Sequence, residues 1–383
     1  MSRLPVVLAL AVVLGGCGGG LNVGPPPPPP PPPPTATPAF VYISNTNANK
    51  LSGVNVAGGK AAQFAASLPS PGGTAPLGMV ATGKLLYIAN SGSGTVSGFS
   101  FDANTGALTP LPDSPFVAGP GVSQMALCPG NGGPTAPRFI YAATTSAVVG
   151  FNILSTGQLT PIPGSPFPAG AEPAAVLVDS ACNFIFIANK GSNNISVFSV
   201  NSSNGFLTPV FGSPFPAGAA PVALAAGDGF LFAANSASNN VSVYNINTGV
   251  GSGGFLTQVA ASPVATGATP SALVYLSPTL YVANSGSNDV SAFTVTLSVG
   301  RLTPLTASPF LVGAQPKAMI AFSSPASNVA QQMFLYVANA ASNNLSGFTI
   351  GSGGMLTVVQ GFPFPAGINP QALVFACGQC GYP

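Results

Sequence analysis

One short phrase recurs along the chain and restricts it to a repeat architecture. "FIANKGSNNISVF" begins at Phe186, "YVANSGSNDVSAF" at Tyr281, "YVANAASNNLSGF" at Tyr336 and "YIANSGSGTVSGF" at Tyr87. The Asn of this phrase, or the residue in its place, falls at Asn45, Asn90, Thr144, Asn189, Asn235, Asn284 and Asn339, seven copies spaced 45 to 55 residues apart. A second marker, a Pro opening a small apolar run, also occurs seven times, at Pro76, Pro120, Pro173, Pro221, Pro270, Pro316 and Pro370. A third, "GxLTP" followed by "SPFxAG", is clear in six copies and degenerate near residues 60–72. A fixed period of this length means stacked supersecondary units sharing one continuous core.

Each unit reads as four short strands. In the copy that opens at Pro173, "PAAVLVDS" is an almost unbroken apolar run, suited to a strand buried on both faces. "NFIFIAN" is a second strand and "NISVFSV" an alternating third. "FLTPVFGSPF" is a fourth, interrupted by prolines that cannot donate to a ladder and so belong at a sheet edge. "KGSNN", between the second and third, carries the Gly and Asn that tolerate positive φ in a hairpin turn. Apolar residues are chopped into short runs by 48 Gly and 42 Pro, and past residue 20 none approaches the ~18 of a membrane span. These patterns predict an all-β, seven-bladed β-propeller of four-stranded antiparallel blades. The ring should close through the termini. "PQALVFAC" at Pro370 is an inner strand with no chain after it to complete a blade, and "FVYISN" at Phe40 supplies the missing partner. Residues 371–377 and 40–68 then share one blade, which leaves no sheet end exposed.

"YVAN", "LYIAN" and "GxLTP" resemble the repeats of the lactonase-type seven-bladed propellers, also called YVTN-repeat proteins, and the likeness covers residues 39–383. This resemblance implies the propeller fold and, for some members, hydrolysis of a small lactone of the 6-phosphogluconolactonase type at the mouth of the central channel, by Arg, Glu or His. The chain has no His; Glu172 is its one Glu, and Arg138 and Arg301 are its only Arg besides Arg3. Arg138 begins a second strand and Arg301 a fourth, neither facing the channel. No catalytic residue, metal ligand or cofactor is therefore expected, and fold alone does not confer activity.

Function should lie where the copies differ, since a position filled in six of seven blades serves architecture. The residues flanking each Pro marker should ring one end of the channel. Before it stand Ala75, Gly119, Glu172, Ala220, Thr269, Gln315 and Asn369; after it stand Leu77, Gly121, Ala174, Val222, Ser271, Lys317 and Gln371. Glu172 and Lys317 are the charged members, three blades apart. Glu172, Gln315, Lys317, Asn369 and Gln371 are the candidate binding residues, for a protein, glycan or small-molecule ligand. Solvated loop charges are the alternative reading for this pair.

The start of the chain reads as an export signal. Arg3 precedes an apolar run, Leu4 to Leu14, too short for a comfortable span. "LGGC" then resembles a bacterial lipobox, which implies a lipidated Cys17, membrane attachment at the cell envelope and, with Gly18 next, the outer membrane of a Gram-negative cell. Residues 1–17 are thus a signal segment and 18–38 a tether, whose ten prolines, Pro25 to Pro34, extend about 30 Å. An exported chain favours disulfides. Cys128 and Cys182, ending consecutive inner strands, should pair, and Cys377 with Cys380, although three pairings are open. With charged residues at 4% and net charge +2, there is no basic face for nucleic acid. The expected protein is a lipid-anchored, monomeric binding module; a lactone hydrolase and a structural surface protein are the alternatives.

Overall fold

The computed structural model describes residues 38–56, 61–64, 68–128, 138–247, 255–323 and 332–377. The signal segment, Cys17, nearly all of the tether and Cys380 lie outside them. Seven antiparallel sheets form seven blades, whose inner strands are Pro76–Thr82, Met125–Cys128, Pro173–Val178, Pro221–Gly227, Pro270–Leu276, Pro316–Ser323 and Pro370–Cys377, numbered here as blades 1 to 7. Blade 7 is shared by the two ends of the chain. Pro370–Cys377 pairs antiparallel with Ala39–Asn45, which pairs in turn with Lys50–Asn55. This closure hydrogen-bonds the ring shut.

Blade 3 shows how the motifs build a unit. Phe184–Asn189 and Asn194–Val200 run antiparallel, with Asn189 opposite Asn194. The fourth, proline-broken strand is two pieces on the same edge: Leu207–Pro209 pairs with one end of the third strand and Phe215–Pro216 with the other. Across the gap, the Ser of "SPF" accepts a hydrogen bond from a mid-strand amide. Ser213 takes the Val197 N–H at 2.9 Å, and Ser114, Ser165, Ser262 and Ser308 do the same in their blades. A side-chain oxygen thus replaces the ladder acceptor that the break removes.

The core is divided among the blade boundaries. Seven apolar clusters form, each drawn from two neighbouring blades, such as Phe186, Ile195 and Leu231 between blades 3 and 4. A blade packed on both faces needs apolar residues on both, so "FIFIAN" does not alternate: Ile185 through Ala188 are all buried.

The recurrent polar residues bind the blades together. Tyr141 of blade 2 donates its hydroxyl to the Gly205 carbonyl of blade 3 at 2.7 Å. Tyr42, Tyr87 and Tyr281 reach Gly106, Gly157 and Gly354 of the following blade likewise. The Gly of "GxLTP" is required there twice over. Gly205 has φ 74°, and a Cβ would lie 2.6 Å from Ile162 Cδ1 of the previous blade. The "xAN" Asn is fully buried: Asn189 Nδ2 donates to Asn194 Oδ1 at 2.8 Å and Ser196 Oγ at 2.9 Å, while its Oδ1 accepts the Gly170 N–H. The "NxS" triplets at Asn194, Asn240 and Asn344 are acceptors for this Asn, within the hairpin. Cys128 and Cys182 form a disulfide between blades 2 and 3, Cα atoms 5.5 Å apart. Cys182 sits in the turn after the inner strand of blade 3, not at its end.

Candidate binding site at the channel mouth

Every inner strand enters the channel through the same backbone device. The residue before it is left-handed in all seven blades: Ala75, Gly121, Glu172, Ala220, Thr269, Gln315 and Asn369, with φ between 50° and 66°. For the β-branched Thr269 this costs on the order of 1 kcal/mol. In five blades the N–H of that residue is captured by the turn Asn of the preceding blade. Asn49, Asn193, Asn239, Asn288 and Asn343 accept from Ala75, Ala220, Thr269, Gln315 and Asn369 at 2.7–2.8 Å.

Blade 2 corrects the expected register. Its strand is anchored two residues beyond Pro120. Ser123 N–H donates to the Ala143 carbonyl and Ala143 N–H to the Gln124 carbonyl, each at 2.9 Å. Gly121, not Gly119, therefore holds the entry position, although φ is positive at both (66° and 115°); Val122 takes the place of proline, and Ser123 follows it. The consequence is a residue the sequence reading missed. Gln124 occupies the position that is Ala175, Ala223, Ala272, Ala318 and Ala372 elsewhere.

A one-residue register shift follows the proline in blades 3 to 6. Such a bulge re-aims a side chain out of the regular alternation. Lys317 and Ser271 occupy it in blades 6 and 5, and Gln371 holds the equivalent place in blade 7. With Gln124 they provide the polar lining of a cavity of about 170 Å³ in the channel. The ring of alanines comes next along the strands. One residue further lie Met79, Val176, Leu224, Leu273, Met319 and Leu373.

Lys317 is the one charged residue in this lining, and among the described residues no carboxylate lies within ion-pairing distance of it. Gln371 Nε2 donates to Asn369 Oδ1 at 2.7 Å, so Asn369 holds the amide from behind. Ser271 Oγ donates to the Pro316 carbonyl at 2.7 Å and keeps its acceptor capacity. Glu172 turns instead to Lys190, 3.4 Å away at an exposed hairpin, a pair worth about 0–1 kcal/mol. Gln315 is exposed and, like Glu172, not part of the lining. Of the five candidates, Lys317 and Gln371 come together, Asn369 supports them, and Glu172 and Gln315 stand apart. Asp228 lies past the opposite end of its inner strand, where the Ser277 and Tyr275 hydroxyls hold its carboxyl below the usual range. No group of three or more His, Cys, Asp or Glu residues suited to a metal occurs among the described residues.

A family model described as "Lactonase, 7-bladed beta-propeller" matches residues 143–268. A periplasmic gluconolactonase of Pseudomonas aeruginosa superposes with TM-score 0.70 at 16% identity, over 89% of this chain and 99% of that one. The fold is that of the lactonase-type propellers. A candidate 6-phosphogluconolactonase of Bacteroides fragilis gives TM-score 0.70 at 19% identity, over 90% of this chain and 99% of that one. A Lactobacillus plantarum protein gives 0.71 at 16%, over 89% and 99%. No curated protein sequence matches the chain significantly. At these identities the solved structures establish the propeller and nothing about its chemistry.

Proposed function

We propose that this propeller is an exported binding module that takes a small ligand at the channel mouth without transforming it. One observation carries the reading. The mouth assembles a single ammonium, two amides and a hydroxyl above an apolar layer, and its lining holds neither a carboxylate nor an imidazole. The general acid–base work of a hydrolase would then fall to Lys317 alone. Hydrolysis of a lactone is the second reading, favoured by the family match over residues 143–268. The test is a lactone panel followed by pH-stat. Binding without turnover is expected; acid release that Lys317→Gln abolishes would overturn the reading.

Export is supported by the Cys128–Cys182 disulfide, a bond that persists in oxidising compartments. The "LGGC" segment supports lipid attachment at Cys17. Cells expressing Cys17→Ser should release the protein into the soluble fraction. Retention in the membrane fraction would refute lipidation.

A further inference from the structure

We infer that the channel ligand is a short amphiphilic monocarboxylate, its head at Lys317 and its tail among the alanine and Leu/Met layers. The inference rests on the binding reading above and names the ligand class of that same site. Three features of the cavity converge on it.

The first is charge. A single ammonium set among neutral amides matches one negative charge, and a carboxylate can accept from Lys317 Nζ and from the Gln371 amide of the next blade. A phosphate dianion would leave charge unmatched. The second is the layer below. The side chains of Met79, Leu224, Leu273, Met319 and Leu373 add no charged or strong hydrogen-bonding group to the backbone edges of the inner strands, so most hydroxyls of a sugar acid would be desolvated without partners there. The third is space. Ala175, Ala223, Ala272, Ala318 and Ala372 leave about 170 Å³ open where larger side chains would close the channel. A dry cavity of about 150 Å³ accommodates a benzene-sized body, so a chain of four to six carbons is the right scale.

The experiment titrates acetate, butyrate, hexanoate, hexanol, gluconate and inorganic phosphate into the intact propeller. The readout is the ¹³C-methyl resonances of methionine, of which the chain has six and the cavity Met79 and Met319. Hexanoate should shift both, with affinity rising about fourfold per methylene from acetate. Hexanol and gluconate should bind at least tenfold more weakly. Lys317→Gln should weaken hexanoate about 10- to 100-fold, Lys317→Arg should restore most of it, and Ala272→Leu should block the tail. An unchanged melting temperature in each variant keeps these losses attributable to the site. Gluconate or phosphate shifting the two methyls while hexanoate does not would overturn the ligand class and leave the binding reading standing. Hexanoate binding that is indifferent to Lys317→Gln and Ala272→Leu would overturn it as well. Failure of the binding reading shows separately, as Lys317-dependent lactone turnover.

Discussion

Removing the Cys128–Cys182 bridge should destabilise the propeller through its unfolded state. The two cysteines are 54 residues apart in sequence, a loop that costs entropy to close. For that length the chain-entropy relation gives about 14 cal/mol/K, or about 4 kcal/mol at 25 °C. The boundary it spans also lacks a tie. The blade 2 hairpin, with Ala143 opposite Val148, is two residues shorter than that of blade 3, where the equivalent Ala188 lies opposite Ile195. No turn Asn is left to take the N–H of Glu172, although Tyr141 still reaches Gly205. Urea unfolding of Cys128→Ala/Cys182→Ala against the parent, followed by tyrosine fluorescence, measures the loss. The expected outcome is a midpoint shift equivalent to 3–4 kcal/mol, with a steeper denaturant dependence because the uncrosslinked chain exposes more surface. A shift below about 1 kcal/mol would refute the loop-entropy argument for this bridge.

Two further outcomes follow from the buried tyrosines. Tyr141→Phe removes a 2.7 Å hydrogen bond and strands the Gly205 carbonyl, for an expected loss of about 1–2 kcal/mol in the same urea assay; Phe186 and Phe232, which hold the equivalent place in blades 3 and 4, show that the ring itself is tolerated there. Stability should also fall steeply in alkali. Burial pushes the Tyr281 phenol up to about 12 and raises Tyr42, Tyr87, Tyr141 and Tyr336 as well. A raised native pKa means the stabilisation is complete below the unfolded value near 10 and is lost as pH climbs toward the native one. Each such phenol then removes about 1.4 kcal/mol per pH unit. Melting temperature should hold from about pH 6 to 9, for want of any His, and drop above 10; a flat profile to pH 12 would contradict the burial of these groups.

The fold was legible because each repeated residue answers a constraint present in every blade. The Gly of "GxLTP", the "xAN" Asn and the Ser of "SPF" each meet a local geometric need, so each recurs at one spacing. The site was less legible for the same reason. It is built from residues that depart from the repeat, and a departure carries no spacing signal. Blade 2 shows this most clearly. Thr144 replaces Asn and Val122 replaces Pro, so Pro120 offered a false anchor and Gln124 was overlooked; the apolar run "MALC" held the true register. Glu172 precedes its inner strand as the spacing of Pro173 implies, but the hairpin that carries Lys190 draws its carboxylate away from the lining, and that is a three-dimensional fact.

The outer strands end in proline in five of the seven blades: Pro110, Pro161, Pro168, Pro209, Pro216, Pro304 and Pro365 all lie on them. Proteins commonly keep such rims apart with lysine and glutamate, an electrostatic defence that salt weakens. At 4% charged residues this chain has little charge to spend on it. Missing donors and a backbone broken in two leave a neighbouring rim little ladder to extend at these blades, and that exclusion does not depend on charge. The propeller's resistance to rim-to-rim association at these blades is therefore indifferent to ionic strength.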